Sequence, residues 1–429
     1  MPFENFIPAD QLEQFLLFWN VVKNWIWIPL AIILFNLAVK FYLFLIIERW
    51  LKKGKWVVME IKMPKEILKP IKAMESVMAH FWAVYDPPNP REKWLEGKIS
   101  LSLSFEIVSL GGEPHFFIRV PDKFQYLVES AVYSQYPDVE ITVVKDYAKE
   151  VPQDIPNKDW NLWGTDYIVT KPDSYPIKTY VSFETERETK EEKRVDPLAV
   201  LLEGMAKLRP GEQLWVQITA APVANENKWI TKGEMVKDKL AKRELKSAPK
   251  SMLQEAAEII ISGPATETPE KRETFPPEMR LTPGEKDVIT GVERKIGKYG
   301  FNTNIRFIYL GKKEVFFMPN IRAPMGFFNA FATQNLNSIK PWGRTITKVH
   351  TILFWFLDKR LVYMRKRRMF RNYVNRFSPL FPRPGGTFVL NTEELASIFH
   401  FPSQIMAPAP TVPRVESKKR EAPPGLPTE

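Results

Sequence analysis

From Trp25 to Ile47 the chain reads WIWIPLAIILFNLAVKFYLFLII, 23 residues broken only by Asn36 and Lys40. As a helix this run is about 34 Å long at ~1.5 Å per residue, enough to cross a hydrocarbon core of about 30 Å. It predicts a transmembrane helix over 25–47. Lys40 costs roughly 3 kcal/mol near the centre of such a helix, and less once its stem carries the ammonium toward the headgroups. The leading residues include Glu4, Asp10 and Glu13, and no small-residue cleavage pattern follows, so the segment reads as a retained anchor rather than a signal peptide. Arg49, Lys52, Lys53 and Lys55 follow the span, whereas only Lys23 precedes it; the positive-inside rule puts the N-terminus outside and the bulk of the chain in the cytoplasm. Leu12, Phe15, Leu16 and Trp19 recur at helical spacing behind Asp10, so residues 1–24 predict an extracytoplasmic or interfacial amphipathic helix. Asn36 and Lys40 share a helix face, where they either contact a neighbouring subunit or leave Lys40 to snorkel from a tilted single helix.

The whole chain carries 61 lysines and arginines against 50 aspartates and glutamates, with 45% apolar residues among 429. That apolar share can bury a core. The diffuse excess of +11 suits an anionic partner, nucleic acid or lipid, as well as an ordinary basic surface. There is no cysteine, which removes disulfides, zinc ribbons and thiol chemistry. His80, His115, His350 and His400 stand far apart without metal-ligand spacing and read as structural.

After the span, WVVMEIKM alternates as a strand, and Ile71, Met74, Val77, Met78, Phe81 and Trp82 trace a helix face behind Pro70. KISLSLSFEIVS predicts a strand that Gly111 and Gly112 turn back into HFFIRV. Asp122 then opens a helix carrying Phe124, Leu127, Val128 and Val132, before a strand with Val139, Ile141 and Val143. The order β-α-β-β-α-β over 56–145 is that of a ferredoxin-like module. A weaker copy covers 165–310: strand-like KTYVSFE, a helix capped by Asp196 and Pro197, the strand EQLWVQITA, a charged helical insertion over 223–280, a helix opened by Thr282 and Glu285, and the strand FNTNIRFIYL. The expected fold class is α+β: one transmembrane helix, two ferredoxin-like modules, a helical segment over 312–402 and a proline-rich disordered tail over 403–429.

The densest charge lies in DKRLVYMRKRRMFRNYVNR. Arg365, Lys366, Arg367, Arg368, Arg371 and Arg376, interleaved with Tyr363, Phe370 and Tyr373, form a candidate patch for DNA or anionic lipid; a solvated basic helix with its rings in the core is the plainer alternative. No catalytic constellation accompanies it. Gly111-Gly112 and Gly385-Gly386 lack the lysine of a phosphate loop, and no dinucleotide fingerprint, H-E-x-x-H or G-x-S-x-G occurs. The reading is non-enzymatic, with no cofactor and no metal.

KPIKAMESVMAHF at 69–81, FFIRVPDKFQYLVESAVYSQYPDVEI at 116–141, NLNSIKP at 335–341 and LNTEELASIFHFP at 390–402 together resemble the membrane-anchored N-terminal region of ATPases related to type IV secretion and HerA-like DNA translocation, widespread in small-genome bacteria. The resemblance covers nearly everything after the anchor. It implies a bacterial cytoplasmic-membrane scaffold in a conjugation-like DNA or protein transfer machine. It transfers no catalytic residue, because the nucleotide-binding motifs are missing. In such proteins a helix like the one in LNTEELASIFHFP precedes the link to a P-loop motor, and APPGLPTE at 422–429 looks like the start of that link; the motor is expected to be a separate polypeptide. Asn391 and Glu394 make a capping box for this helix, and Leu395, Ile398 and Phe399 are its apolar stripe. On the pattern alone it docks on the preceding domain; the resemblance makes it a candidate motor-docking helix. A homo-oligomer is a further expectation.

Overall fold

The computed structural model describes residues 19, 23, 25, 27–64, 69–185, 196–224, 228–241, 281–350, 355–381, 383, 385–402 and 414–415. The expected helix over 1–24, most of the 223–280 insertion and most of the tail over 403–429 lie outside them. The described residues divide into two compact units.

The first unit comprises residues 1–55, 87–99 and 380–384. Its main element is α1 (Trp27–Lys53), with a mean hydropathy of 2.5 across its most apolar 18 residues and Lys52 and Lys53 in its last turn. Side chains such as Phe35 and Ile33 are more than 60% exposed, a surface that water does not favour over so many apolar residues.

The second unit, 56–86, 100–379 and 385–429, is built on one continuous sheet. The strands are β1 (Trp56–Pro64), β2 (Leu103–Leu110), β3 (Glu113–Pro121), β4 (Glu140–Val144), β5 (Trp160–Val169), β6 (Glu212–Pro222), β7 (Gly300–Lys312), β8 (Ile339–Pro341) and β9 (Phe388–Asn391), all antiparallel to their neighbours. A two-residue strand, β10 (Arg414–Val415), adds in parallel to the end of β1. The first four strands lie in the order β4-β1-β3-β2 and the next in the order β6-β7-β5-β8. The two sets are joined by pairing of β2 with β6, eight facing residue pairs from Leu103↔Ala220 to Leu110↔Gln213. The sheet is therefore single where the sequence suggested two separate modules.

Most of the expected helices form. α2 (Ile71–Phe81) buries Met74, Val77, Met78 and Phe81; α3 (Gln125–Gln135) buries Val128 and Val132 after a short 3-10 turn headed by Asp122, which does not cap it. KTYVSFE is a correction: Tyr180–Thr185 is a helix, α4, and the strand that opens this half is β5, Trp160–Val169, which begins ahead of the module boundary expected at 165. The local alternation was overridden by tertiary partners, since Thr179 Oγ1 donates to Glu393 and Tyr180 N to Ser397 Oγ. α5 (Pro197–Ala206) has Asp196 as its cap and buries Leu198, Leu201, Leu202 and Met205. α6 (Lys228–Leu240) belongs to the charged insertion, and α7 (Pro283–Ile296) carries the expected Thr282–Glu285 capping box. The segment expected to be helical holds α8 (Arg322–Asn329), α9 (Asp358–Val374) and α10 (Thr392–Ile398), but also contributes β8 and β9 to the sheet.

Both faces of the central strands are covered. On one, Phe105 stacks against Phe81 of α2 and packs against Phe399 just beyond α10. On the other, Trp215, Ile308 and Leu310 meet Tyr147, Ile155, Met369 and Tyr373. This explains why every residue of β2 before Leu110 is buried, its small polar residues included.

His400 ties this core together. Its Nε2 lies 2.9 Å from both carboxylate oxygens of Asp196, the cap of α5, and its Nδ1 lies 3.0 Å from the Ala396 carbonyl. Burial opposes a charge on this ring, but Asp196 and the helix carbonyls outweigh it and raise the pKa above the ordinary imidazole value. A raised folded-state pKa contributes stability that is complete below about 6.5 and is lost as pH rises through the folded value. His400→Gln is expected to flatten the fall in melting temperature between about pH 6 and about pH 9; an unchanged slope would show that the ring does not titrate in this range.

Candidate functional site

The structure sorts the cations of α9 by depth. The helix buries Met369, Phe370, Asn372 and Tyr373 in its last two turns, while Tyr363 and Met364 are about half exposed. Arg365 turns inward, its Nη1 donating to the Ile346 carbonyl at 3.0 Å. Lys366 Nζ donates to Asn161 Oδ1 at 2.7 Å; burial, and then the nearby Lys313, hold its pKa below the usual lysine value. Arg368 and Arg371 are exposed and Arg367 half-buried. The six residues named from sequence therefore do not make one patch. The surface stripe is Arg360, Met364, Arg367 and Arg371 at successive helical turns, next to Lys359 and Tyr363.

Arg376 is a correction in kind, because it is a buried structural residue rather than a surface cation. The chain leaves α9 through Asn375 into Arg376 at φ 55°, with Phe377 N donating to the Asn372 carbonyl at 2.8 Å and Arg376 N to the Tyr373 carbonyl at 3.0 Å. These are the two bonds of a left-handed helix stop that usually recruits glycine. Arginine bears the strain of about 1 kcal/mol because its side chain is fixed from both sides. Nε and Nη2 grip Glu106 at 2.9 and 3.0 Å, and Nη1 and Nη2 grip Asp146 at 2.6 and 2.9 Å. Glu106 also accepts from Ser104, Tyr147 and Gln217. Burial alone would raise the Glu106 pKa, yet the guanidinium and these donors bring it below the usual carboxylate range. Burial likewise pushes the Tyr147 and Tyr373 hydroxyls, 2.9 Å apart, well up. One guanidinium bridges two carboxylates here, with Arg119 as a further cation nearby, and Glu106 and Arg376 have almost no surface, so the cluster holds the fold and offers no substrate access.

The candidate motor-docking helix is likewise overturned as an accessible surface. All seven residues of α10 are buried, Leu395 and Ile398 completely, and Phe399 packs against Phe105 and Phe116. The capping box of Asn391 and Glu394 is formed. Glu394 also pairs with Lys295 at 3.1 Å, both side chains being at most 1% exposed, and accepts from Ile177 N. Docking on the chain's own domain, the plainer reading of this helix, is what the structure has.

Beside α10 lies an open cleft of about 540 Å³, lined by Lys72, Glu75, Ser76 and Ala79 of α2, Tyr180 and Val181 of α4, Arg294, Lys298 and Glu393. Lys298 bridges Glu75 and Glu393, and Tyr180 donates to Glu75. Burial opposes the Lys298 charge, but its bonds to the two carboxylates outweigh this and raise its pKa. The cleft floor is thus an internal ion-pair bridge, with Lys72 and Arg294 exposed at the rim. No group of three or more histidines, cysteines and carboxylates arranged to hold a metal occurs among the described residues.

On α1, Asn36 Nδ2 donates to the Ile32 carbonyl at 2.9 Å, so this amide is satisfied by its own helix; Lys40 is exposed.

Sequence reading missed Glu106 and Asp146 as partners of Arg376. The signal available was Glu106 itself, the one acidic residue inside KISLSLSFEIVS.

Among the described residues, one helix long and apolar enough to cross a membrane, together with a mixed antiparallel α+β body, defines the class of this chain. The chain belongs to the DUF8128 family, a domain of unknown function whose profile matches residues 57–411. Comparison with curated proteins gave no match.

Proposed function

We propose that the chain is a non-enzymatic, membrane-anchored scaffold of a conjugation- or type IV secretion-like transfer machine, working with a separate HerA-like P-loop ATPase. The observation that carries it is α1, with 27 residues, a mean hydropathy of 2.5 over its most apolar 18 and a basic last turn. Its exposed apolar side chains call for lipid, and its basic end calls for the cytoplasmic side of a bacterial membrane. The two strand orders, β4-β1-β3-β2 and β6-β7-β5-β8, support reading each half of the sheet as a ferredoxin-like module, with the insertion placed between β6 and β7. The non-catalytic reading draws on the ion-pair clusters, whose charges satisfy one another. The motor itself rests on the family resemblance alone, and its contact surface lies elsewhere than Leu395, Ile398 and Phe399.

The exposed stripe of α9 favours an anionic lipid surface over nucleic acid, since Tyr363 and Met364 sit among its cations and Phe356 and Leu357 precede it, an interfacial mixture. Asn36 and Lys40 remain the place for a contact between copies within the membrane. Native membranes washed with alkaline carbonate are expected to retain the chain, and mild detergent is expected to release it together with a P-loop ATPase. Release by carbonate would sink the anchor; recovery of the chain alone at native expression would sink the motor partnership.

A further inference from the structure

The first unit holds a short turn whose construction goes beyond an anchor. Asn89 and Glu92 cap one another, Glu92 N donating to Asn89 Oδ1 at 2.8 Å and Asn89 N to Glu92 Oε2 at 3.0 Å, with Pro90 between them. The resulting start leads into a π-helical turn, Glu92–Glu96, closed by Gly97 at φ 72°. Gly97 is required twice over: its φ is left-handed, and a Cβ would fall 2.4 Å from the Ile46 backbone carbon of α1. Tyr42 OH of α1 donates to the Trp94 carbonyl at 3.1 Å, and Phe44 packs against Phe381 with ring centroids 5.6 Å apart. The turn is thus fastened to α1 between Tyr42 and Ile46. Its two apolar side chains nevertheless point away from protein, Trp94 at 47% and Leu95 at 65% exposure.

Depth along α1 identifies what covers them. Tyr42 and Ile46 lie about 22 and 29 Å along the helix from Trp27 at ~1.5 Å per residue, which is the far boundary of a hydrocarbon core about 30 Å thick. A tryptophan and a leucine at that level fit the layer between acyl chains and headgroups. Arg49 and Lys53 on α1, Arg91 just before the turn and Lys93 within it are exposed, where phospholipid phosphates would lie. We propose that the turn Glu92–Glu96 is a membrane foot: Trp94 and Leu95 insert into the interfacial layer beside α1, with anionic phospholipid as the partner. The foot fixes the depth of α1 and limits its rotation, which a single span cannot do by itself.

This inference rests on α1 spanning the bilayer, and the test separates the two. Because the chain has no cysteine, single spin labels can be placed on the full protein by Leu95→Cys, Trp94→Cys, Ile33→Cys and Tyr126→Cys. The protein is reconstituted into nanodiscs of mixed phosphatidylcholine and phosphatidylglycerol, and collisions with oxygen are compared with those of a water-soluble nickel chelate. The oxygen-to-nickel ratio at positions 94 and 95 is expected to lie within about threefold of that at 33 and roughly tenfold above that at 126. Lipid-like values at 33 with water-like values at 94 and 95 would overturn the foot and leave the span standing. Water-like values at 33 would overturn both.

Discussion

Arg376→Met is expected to lower the unfolding free energy of the full chain by about 3–5 kcal/mol, on the order of 10 °C in melting temperature. The substitution keeps much of the volume but leaves Glu106, wholly buried, and Asp146 without the guanidinium that bridges them, Arg119 being the remaining cation nearby. Adding Glu106→Leu should recover part of the loss, because it removes the orphaned charge. The pH dependence carries a second signature. A carboxyl held below its usual pKa contributes stability that is complete above about 4.3 and is lost as pH falls through the folded value. The gap between parent and variant should therefore narrow on acidification. Melting curves in detergent at neutral and acid pH measure both effects; a loss below about 1 kcal/mol would mean that the two carboxylates are solvated in the variant.

Lys295→Met should be nearly as damaging, about 3 kcal/mol or more, since it strands Glu394 in the core. Glu394→Gln preserves an acceptor for Asn391 N in the capping box but strands Lys295 instead. The double variant removes both charges and keeps the cap but costs the buried Ile177 N–H its acceptor, so it is expected to lie within about 1–3 kcal/mol of the parent. A double-mutant cycle reads the coupling directly: a strongly positive interaction energy supports an ion pair fixed by mutual burial, while additive losses would mean that each charge finds its own partner.

These two clusters show which parts of the fold were legible in sequence. α2, α5, the two capping boxes and the glycine turn between β2 and β3 depend on residues a few positions apart, and each was readable. β5 was not, because it carries Thr165, Asp166 and Tyr167, and Asp166 is buried only by virtue of Arg306, 2.9 Å away on β7. The run from Arg365 to Arg376 looked uniform as text, yet Arg376 is matched by a glutamate 270 residues earlier. Spacing along a helix assigns a face; it does not say what the rest of the chain lays on that face. α10 is the converse case: its apolar stripe read on its own as docking on the preceding domain, which is where it lies, and only the family resemblance assigned it to another molecule.

The ladder between β2 and β6 has a mechanical consequence. Its eight facing pairs run antiparallel through the middle of the body, so the two halves cannot swing about that line without breaking the bonds together. Pull along the strands loads the whole ladder in shear instead of opening it one rung at a time. The body therefore behaves as a stiff plate, and a displacement imposed on β4 at one margin is delivered to β8 at the other.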